Sequence, residues 1–294
     1  MDIAVEPDEA NRPHEARPAA PMQRSVGHGA IAVKAGHDGR TRLAGLHQKA
    51  NAKIRVPRQH APRLEAVLIN TAGGLTGGDR LDWRLEAGRD THLVAATQAC
   101  ERIYRSTGGA ARQTTRIAVA DGARLDWLPQ ETILFDQSAL DRTLEIDLAE
   151  TARFVGLETV VLGRRAMGET VAETALRDRW RIRRAGQLVH ADDLRIEGDV
   201  AELATAPALL GGCTAFATIF ACAPFDDEEW QSLAGAVRAA LASFHDTVDA
   251  GISAFAGKCV ARLKAPSSDR LRNAVIAALG TLREEAALPA VWRS

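Results

Sequence analysis

The feature that most constrains the fold is an alternation of apolar and polar residues with a period of two. Leu81, Trp83 and Leu85, for example, alternate with Asp82, Arg84 and Glu86. This alternation is typical of a strand with one buried face. Turn signals separate such runs at residues 87–88, 108–109, 121–122 and 184–186, with spacings of roughly 8–15 residues. The pattern predicts a mainly β fold, either a sandwich, a barrel or a β-solenoid, and not a series of βαβ units.

Two glycine pairs, Gly73-Gly74 and Gly77-Gly78, lie between an apolar run and an alternating run. A phosphate-binding P-loop would continue with Lys and Ser or Thr, whereas Asp79 and Arg80 follow here. The dinucleotide-binding pattern is also absent. Because glycine reaches positive φ freely, the segment is predicted to be a tight turn between two strands.

Helical patterns are found only late in the sequence. Acidic residues 226–229 precede an apolar stripe that runs from Trp230 to Phe244, and Ser267-Ser268-Asp269 precedes a second stripe that ends at Leu282. We therefore expect two α-helices in the C-terminal third. Residues 1–25 contain prolines and mixed charge without an apolar run, which predicts a disordered N-terminal tail and no signal peptide, followed by a single domain over residues 26–294.

Composition excludes several classes of function. The formal net charge of −1 gives no overall attraction for nucleic acid or anionic lipid. The four cysteines form no C-x-x-C pair, and the eight histidines form no H-x-x-x-H pair, so a preformed metal site of high affinity is not predicted. We expect reduced, mostly buried thiols and a cytoplasmic protein.

Residues 203–225 carry no charge, but Pro207, a Gly-Gly pair and Pro224 interrupt them. A membrane span needs about 20 mainly apolar residues. One buried strand from Thr214 to Cys222 is the better interpretation.

A basic run at residues 177–184 contains Arg177, Arg179, Arg181 and Arg183. On a strand these arginines share one face, and Trp180 lies on the other. Binding of a nucleic-acid strand would need aromatic residues on the same face as the arginines. We therefore interpret the run as a solvated strand face above a buried one.

Four glutamate and aspartate residues lie in apolar or small-residue surroundings: Glu101, Glu131, Asp136 and Glu158. Carboxylates in such places can transfer protons or bind cations. They can equally form ion pairs with arginines such as Arg80, Arg102 and Arg105. The residues alone identify no catalytic centre, and both interpretations stay open.

Four segments and the C-terminus together resemble the family of the urease accessory protein UreD, also called UreH. The segments are NTAGGLTGGDRL (70–81), TQACERIYRS (97–106), RLDWLPQETILFD (124–136) and ETVVLGRRAMGE (158–169), and the chain ends with ALPAVWRS. The resemblance covers about residues 28–294. This chain departs from the family pattern at residues 70–72, where prolines are usual, and at residues 100–102. The matching positions are Gly73, Gly74, Gly77, Gly78, Asp79, Arg80, Tyr104, Arg105, Ser106, Pro129, Gln130, Glu131, Gly163, Arg164, Gly168 and Glu169.

The resemblance implies an elongated, helically wound stack of β-strands with two α-helices. It also implies a non-enzymatic scaffold, or chaperone, in metallocentre assembly. Such a scaffold binds urease apoprotein and recruits UreF and, through it, the GTPase UreG, so that nickel reaches the urease active site. No nucleic-acid or membrane partner is implied.

The resemblance also implies an internal tunnel through the UreD–UreF pair as a route for nickel, and such a route needs weak, exchangeable ligands. We therefore expect no tightly bound cofactor, only transient passage of nickel. Acidic residues within the matching segments are the candidate ligands: Asp79, Glu101, Glu131, Asp136 and Glu158. Ion pairs that stabilise the fold are the competing interpretation.

Aromatic residues at Tyr104, Trp127, Phe135 and Trp292 are expected in the core or at an interface, with the core favoured. Exposed partner surfaces predict poor solubility of the isolated protein. The alternative function is a β-solenoid hydrolase or lyase that uses clustered carboxylates. A third interpretation, a free-standing nickel carrier, lacks a cluster of nitrogen and sulfur ligands.

Overall fold

The computed structural model describes residues 24–58, 61–164, 168–206, 209–284 and 287–293. Within these residues, two β-sheets face each other and three α-helices follow late in the chain. The mainly β fold and the two long C-terminal helices are as predicted. The predicted disordered tail lies outside the described residues, apart from Arg24 and Ser25.

The first sheet has seven strands: β1 (Val26–Ala35), β2 (Thr41–Lys49), β5 (Arg80–Ala87), β8 (Ala111–Val119), β11 (Ser138–Leu148), β13 (Glu173–Arg184) and β14 (Gln187–Asp199). Its order is β14-β13-β11-β8-β5-β1-β2. The five central strands are parallel, and the antiparallel strands β2 and β14 form its two edges.

The second sheet contains β3 (Ala52–Arg55), β4 (Leu64–Asn70), β6 (His92–Thr97), β9 (Arg124–Leu128), β12 (Arg153–Leu162), β15 (Ala215–Cys222), β16 (Asp249–Phe255) and β17 (Lys258–Ala265). Its strands β4, β6, β9 and β12 run parallel, and β15, β17 and β16 extend it with antiparallel pairs. Two three-residue strands, β7 (Glu101–Ile103) and β10 (Thr132–Leu134), pair with each other, and β10 also pairs with β12.

Between β4 and β13 the chain passes repeatedly from the second sheet to the first and back, and each turn stacks on the previous one in parallel register. This is the helically wound, solenoid-like arrangement that the family resemblance implies. Parallel strands need connections that return to the same end of the sheet, and here the opposite sheet supplies them.

The main core lies between the two sheets and is built from the inward residues of the alternating runs. On β13, for example, Leu176, Trp180 and Ile182 are buried, whereas Arg183 is exposed. The run at residues 177–184 is therefore a strand with a polar face over a buried face, as predicted. Trp127 and Trp180 are the largest fully buried side chains of this core, and an aromatic side chain buries about 150–250 Å².

The helices α2 (Asp227–Leu241) and α3 (Ser268–Leu282) cover the outer face of the second sheet and form a second core with it. In α2 the side chain of Asp226 accepts from the main-chain nitrogen of Glu229, and the Glu229 carboxylate accepts from the nitrogen of Asp226. This capping box fixes the start of the helix. A short helix, α1 (Val200–Thr205), was not predicted.

The uncharged segment at residues 203–225 contains β15 between α1 and α2, so the predicted buried strand is confirmed. None of the helices in the described residues has the length and hydropathy that crossing a membrane requires. The four cysteines are free thiols, of which Cys213, Cys222 and Cys259 are buried and Cys100 is partly buried.

Candidate functional site

The matching segments of the sequence collect along one edge of the solenoid. Each of them leaves the carboxyl end of a strand in the second sheet and leads to a strand of the first sheet. Because parallel strands begin and end at the same edges, the loops after β4, β6, β9 and β12 lie side by side there. We call this side of the molecule the motif edge.

The glycine pairs form the first loop of the motif edge, the predicted turn between β4 and β5. Gly73 and Gly78 have φ values of 77° and 88°, which favour glycine. A Cβ at Gly77 would lie 2.1 Å from Oγ of Ser106 and 2.5 Å from a main-chain oxygen at Gly108. Glycine is therefore needed here for conformation and for close approach of the next coil.

Asp79 stabilises the same loop. Its carboxylate accepts hydrogen bonds from the main-chain nitrogens of Ser25 (2.8 Å) and Thr76 (2.9 Å), and the side chain is buried. Arg80 is exposed at the start of β5 and forms no ion pair with an acid in the described residues. Asp79 thus has the geometry of a residue that holds the turn.

Asp136 has a similar role two coils further on. It accepts from the nitrogens of Ala172 (2.8 Å) and Glu173 (3.1 Å), and these bonds lower the pKa of its carboxyl group. The neighbouring Glu169 accepts from Nε of Arg164 at 2.9 Å. The Arg164 guanidinium also lies over the Phe135 ring, 4.3 Å from its centre.

Glu158 lies inside the solenoid and is paired with Arg142. Arg142 projects inward from β11 and binds Glu158 through Nη1, and it binds both carboxylate oxygens of Asp178 through Nε (3.1 Å) and Nη2 (2.6 Å). All three side chains are buried. Trp127 donates its indole N–H to Glu158 at 3.0 Å. Burial raises the pKa of Glu158 against the opposing effect of the Arg142 charge.

Glu101, the first residue of β7, is half-buried and lies on the same side of its strand as the buried Ile103. It accepts a hydrogen bond from Nδ2 of Asn70 at 2.9 Å, and burial raises its pKa to about 7. No cation pairs with it in the described part of the chain. A carboxyl group with such a pKa changes charge near neutral pH, and a nearby cation would lower its pKa.

A partly open cavity of about 220 Å³, called the internal cavity below, is lined by both Glu101 and Glu158 at the motif edge. Its polar lining includes Asn70, Glu101, Gln113, Thr132 and Glu158. The amide oxygen of Gln113 is buried without a hydrogen-bond partner in the described residues. Unpaired buried polar atoms are rare. This amide oxygen could therefore serve as a ligand atom for a cation in the cavity.

A larger cleft of about 730 Å³ lies on the outside of the motif edge, beside the start of α3. Glu131 lines it and accepts from Nη1 of Arg272 (2.9 Å) and from the thiol of Cys100 (3.3 Å). Burial and the Glu131 charge raise the pKa of Cys100 to about 12. Four residues line both the cleft and the internal cavity: Gln98, Ala99, Cys100 and Gln130.

The C-terminal segment closes one side of this cleft. Nε1 of Trp292 donates to the main-chain oxygen of Leu128 (2.9 Å), and Nε2 of Gln130 donates to that of Val291 (2.9 Å). The Arg272 guanidinium lies 4.5 Å from the centre of the Trp292 ring. Trp292 is buried, as Trp127 and Phe135 are, whereas Tyr104 is 37% exposed.

Sequence reasoning did not identify the arginines that pair with the glutamates. It suggested Arg80, Arg102 and Arg105, whereas Arg142 and Arg272 make these contacts. A signal for Arg142 was present, because it is in phase with the inward residues Leu140 and Leu144 of its strand. Arg272 is remote in sequence and gave no such signal.

The five candidate acids are therefore not one cluster. Glu101 and Glu158 line the internal cavity, and Glu131 lies in the adjoining cleft. Asp79 and Asp136 are bound to main-chain nitrogens of turns. In the described residues, no group of three or more His, Cys, Asp or Glu side chains could together hold a metal ion.

Comparison with known proteins gives one consistent result. A family model described as "UreD urease accessory protein" matches residues 27–293. A protein of Rhizobium leguminosarum bv. trifolii is 49% identical over 270 residues, which cover 92% of this chain and 96% of the relative. Relatives in Chelativorans sp. and Sinorhizobium medicae are 50% and 47% identical and cover 93% and 95% of this chain. All three are named "Urease accessory protein UreD".

Proposed function

Because this chain belongs to the UreD family of urease accessory proteins, with a general role in urease maturation, we propose that it is a non-enzymatic scaffold for insertion of nickel. It binds urease apoprotein in the cytoplasm and recruits UreF and, through UreF, the GTPase UreG. The match over nearly the whole chain supports this role. The observation that carries the proposal is the internal cavity of the motif edge, with its two carboxylates and one unpaired amide oxygen.

In this proposal, nickel is cargo that passes through the motif edge. Glu131 and the cleft form the entrance, and Glu101, Gln113 and Glu158 offer oxygen donors in the interior. Oxygen ligands suit such a task, because nickel binds more tightly to nitrogen and sulfur ligands and would leave them slowly. Asp79 and Asp136 contribute indirectly, since they hold the loops around the route.

The charge of the interior fits a cation in transit. Glu101 has no paired cation in the described residues, so a passing divalent ion would relieve the cost of its burial. Glu158 is held by Arg142 and Trp127 and offers a weaker, partly neutralised site. Neither residue provides a complete coordination shell, so the remaining ligands would be water and amide oxygens.

The experiment is co-expression of urease with Glu101→Gln and Glu158→Gln variants of this chain, separately and together. We expect less nickel per urease active site, measured by elemental analysis, and lower ureolysis at limiting nickel. Glu145→Gln is the matched control, because Glu145 lies on the solvent-facing side of β11. Normal nickel content in the double variant would refute the route.

Co-purification separates the route from the scaffold role. The three variants should still retain UreF and urease subunits on an affinity-tagged copy of this chain. If the unaltered protein retained none of these partners, the scaffold role itself would be refuted. Stable contacts of this kind bury about 1,600 Å² in total.

A further inference from the structure

A stretch of the sequence that contains basic but no acidic residues lies at the β2 end of the solenoid. Residues 39–64 contain seven Arg and Lys residues and no Asp or Glu. Lys49, Arg55 and Arg58 are exposed and form no ion pair in the described residues. Asp38, in the turn before β2, binds Arg42 at 2.6 Å and neutralises it, so residues such as Lys49, Arg55 and Arg58 give this end its basic character.

This basic end includes an open sheet edge. β2 pairs only with β1 among the described strands, and eight of its nine residues, all except Thr41, are exposed. Along residues 42–49, no described group outside β1 bonds to the main chain of β2. An edge strand exposes a row of unpaired N–H and C=O groups on its outer side.

The other edges of the two sheets are covered or short. Gln231 and Arg238 of α2 donate to the main-chain oxygens of Ala254 and Ile252 in β16. On β14, side chains of Arg181 and Lys258 donate to the oxygens of Asp192 and Val189. β3 has only four residues. Natural proteins protect edges in these ways. β2 has a bulge at Ala44 and exposed basic side chains, but no helix or loop of the described residues covers its outer side along residues 42–49.

Apolar side chains complete the surface. Leu43 and Leu46 on β2 are 41% and 43% exposed, and Gly45 lies between them. We propose that the β2 edge is a docking site for an extended, acidic segment of a partner protein, which adds a strand to the seven-stranded sheet. The inference rests on the proposed scaffold role and specifies the chemistry of one of its partners.

Charge and main-chain geometry decide among possible occupants. A second copy of this chain, paired through the same edge, would bring two basic ends together. A nucleic acid would match the charge but would leave the main-chain donors and acceptors of β2 without strand partners. An acidic peptide satisfies the edge by main-chain hydrogen bonds and the basic residues by charge, with alternate apolar side chains against the leucines.

The direct test uses fluorescein-labelled decapeptides and the full-length protein. A peptide of alternating Glu and Val residues should bind and raise the fluorescence anisotropy. A peptide of alternating Glu and Pro has the same charge but lacks every second N–H, so it should bind at least about tenfold more weakly. Equal binding of the two peptides, or no binding, would overturn the proposal. So would tighter binding of a ten-nucleotide oligothymidylate.

Variants locate the binding at β2. Lys49→Glu/Arg55→Glu reverses two exposed charges, and Leu43→Glu/Leu46→Glu replaces the apolar contacts with repelling ones. Each double substitution should weaken binding of the Glu–Val peptide at least about tenfold. Arg195→Glu on β14 is the matched control, because Arg195 is exposed at the opposite edge of the same sheet. Equal effects at both edges would refute the location.

Nickel loading separates this inference from the function on which it rests. Cells that carry Lys49→Glu/Arg55→Glu should make urease with reduced nickel, and the variant should retain fewer partner proteins. If deletion of this chain abolished loading while the variant supported it fully, the docking site would be wrong and the scaffold role would stand. If deletion had no effect, the scaffold role itself would fail.

Discussion

Replacement of Arg142 by Met should strongly destabilise the protein. Arg142 is 2% exposed and binds two buried carboxylates, Glu158 and Asp178, and the hydroxyl of Thr132. Met preserves much of the length of the side chain but removes the charge and every donor. The substitution therefore leaves two carboxylates in the core without their cation, which is much more costly than the loss of one exposed ion pair.

The expected decrease in the free energy of unfolding is about 3–5 kcal/mol at pH 7, the usual cost of breaking a buried pair from one side. With an unfolding entropy of roughly 2.1 cal/mol/K per residue, this corresponds to a decrease of about 5–9 °C in Tm. Urea unfolding can be followed by circular dichroism and by tryptophan fluorescence. Trp127 is a local reporter, since it donates to Glu158.

The loss of stability in Arg142→Met should become smaller as pH falls. Without the opposing charge of Arg142, burial raises the pKa of Glu158 in the folded state further above its unfolded value. The folded variant then binds more protons than the unfolded chain, so its stability increases as pH falls. The difference from the unaltered protein should therefore be smaller at pH 5 than at pH 8.

A triple apolar variant, Arg142→Met/Glu158→Leu/Asp178→Leu, tests the cause. It removes all three charges, and in other proteins such replacements are often neutral or stabilising. We expect it to recover most of the stability lost in Arg142→Met. A free energy of unfolding for Arg142→Met within about 1 kcal/mol of the unaltered protein, roughly the error of such measurements, would contradict this cause. A triple variant less stable than the single variant would also contradict it.

Three further predictions concern residues of the motif edge. Glu101→Gln should reduce the decrease in the free energy of unfolding between pH 4.5 and pH 7. The raised pKa of Glu101 contributes stability below pH 4.5, and this contribution is lost as pH rises through about 7. Urea midpoints measured over a series of pH values test this, and an unchanged slope would contradict it. Gly77→Ala should lower the free energy of unfolding by about 1–3 kcal/mol, because the added Cβ would overlap Oγ of Ser106. Thermal unfolding measures this loss, with Gly235→Ala as the control at an exposed glycine. Iodoacetamide should alkylate Cys100 slowly at pH 8, because burial and the Glu131 charge raise the pKa of the thiol. Alkylation should be faster in the Glu131→Gln variant. Equal rates in the two proteins would show that the Glu131 charge does not raise this pKa.

Much of the architecture was predictable because it depends on local pattern. The period of two in residues such as Leu176, Trp180 and Ile182 assigns strands and their buried faces, since side chains alternate across a strand whatever its neighbours are. The acidic first turn and apolar stripe of α2 similarly gave a helix. The short helix α1 was missed, because six residues contain less than two turns and give little periodic signal.

The candidate site was predictable only in part. The matching segments indicated the loops between residues 70 and 169, and the wound topology places these loops side by side. The pairing of charges was not predictable: Glu131 meets Arg272 from 141 residues away, and Glu158 meets Arg142 across the core. Whether a carboxylate lines a cavity or holds a turn, as Asp79 does, depends on neighbours that no spacing specifies.

The sequence by itself determined that this protein is built from half-buried strands with two late helices, and that it resembles one family. Local side-chain alternation and the spacing of turns are properties of contiguous residues, so they can be read along the chain. Only the tertiary structure decided which acids face the interior, which arginines neutralise them and which sheet edge stays open. These properties arise from contacts between residues distant in sequence, where burial and charge act through space.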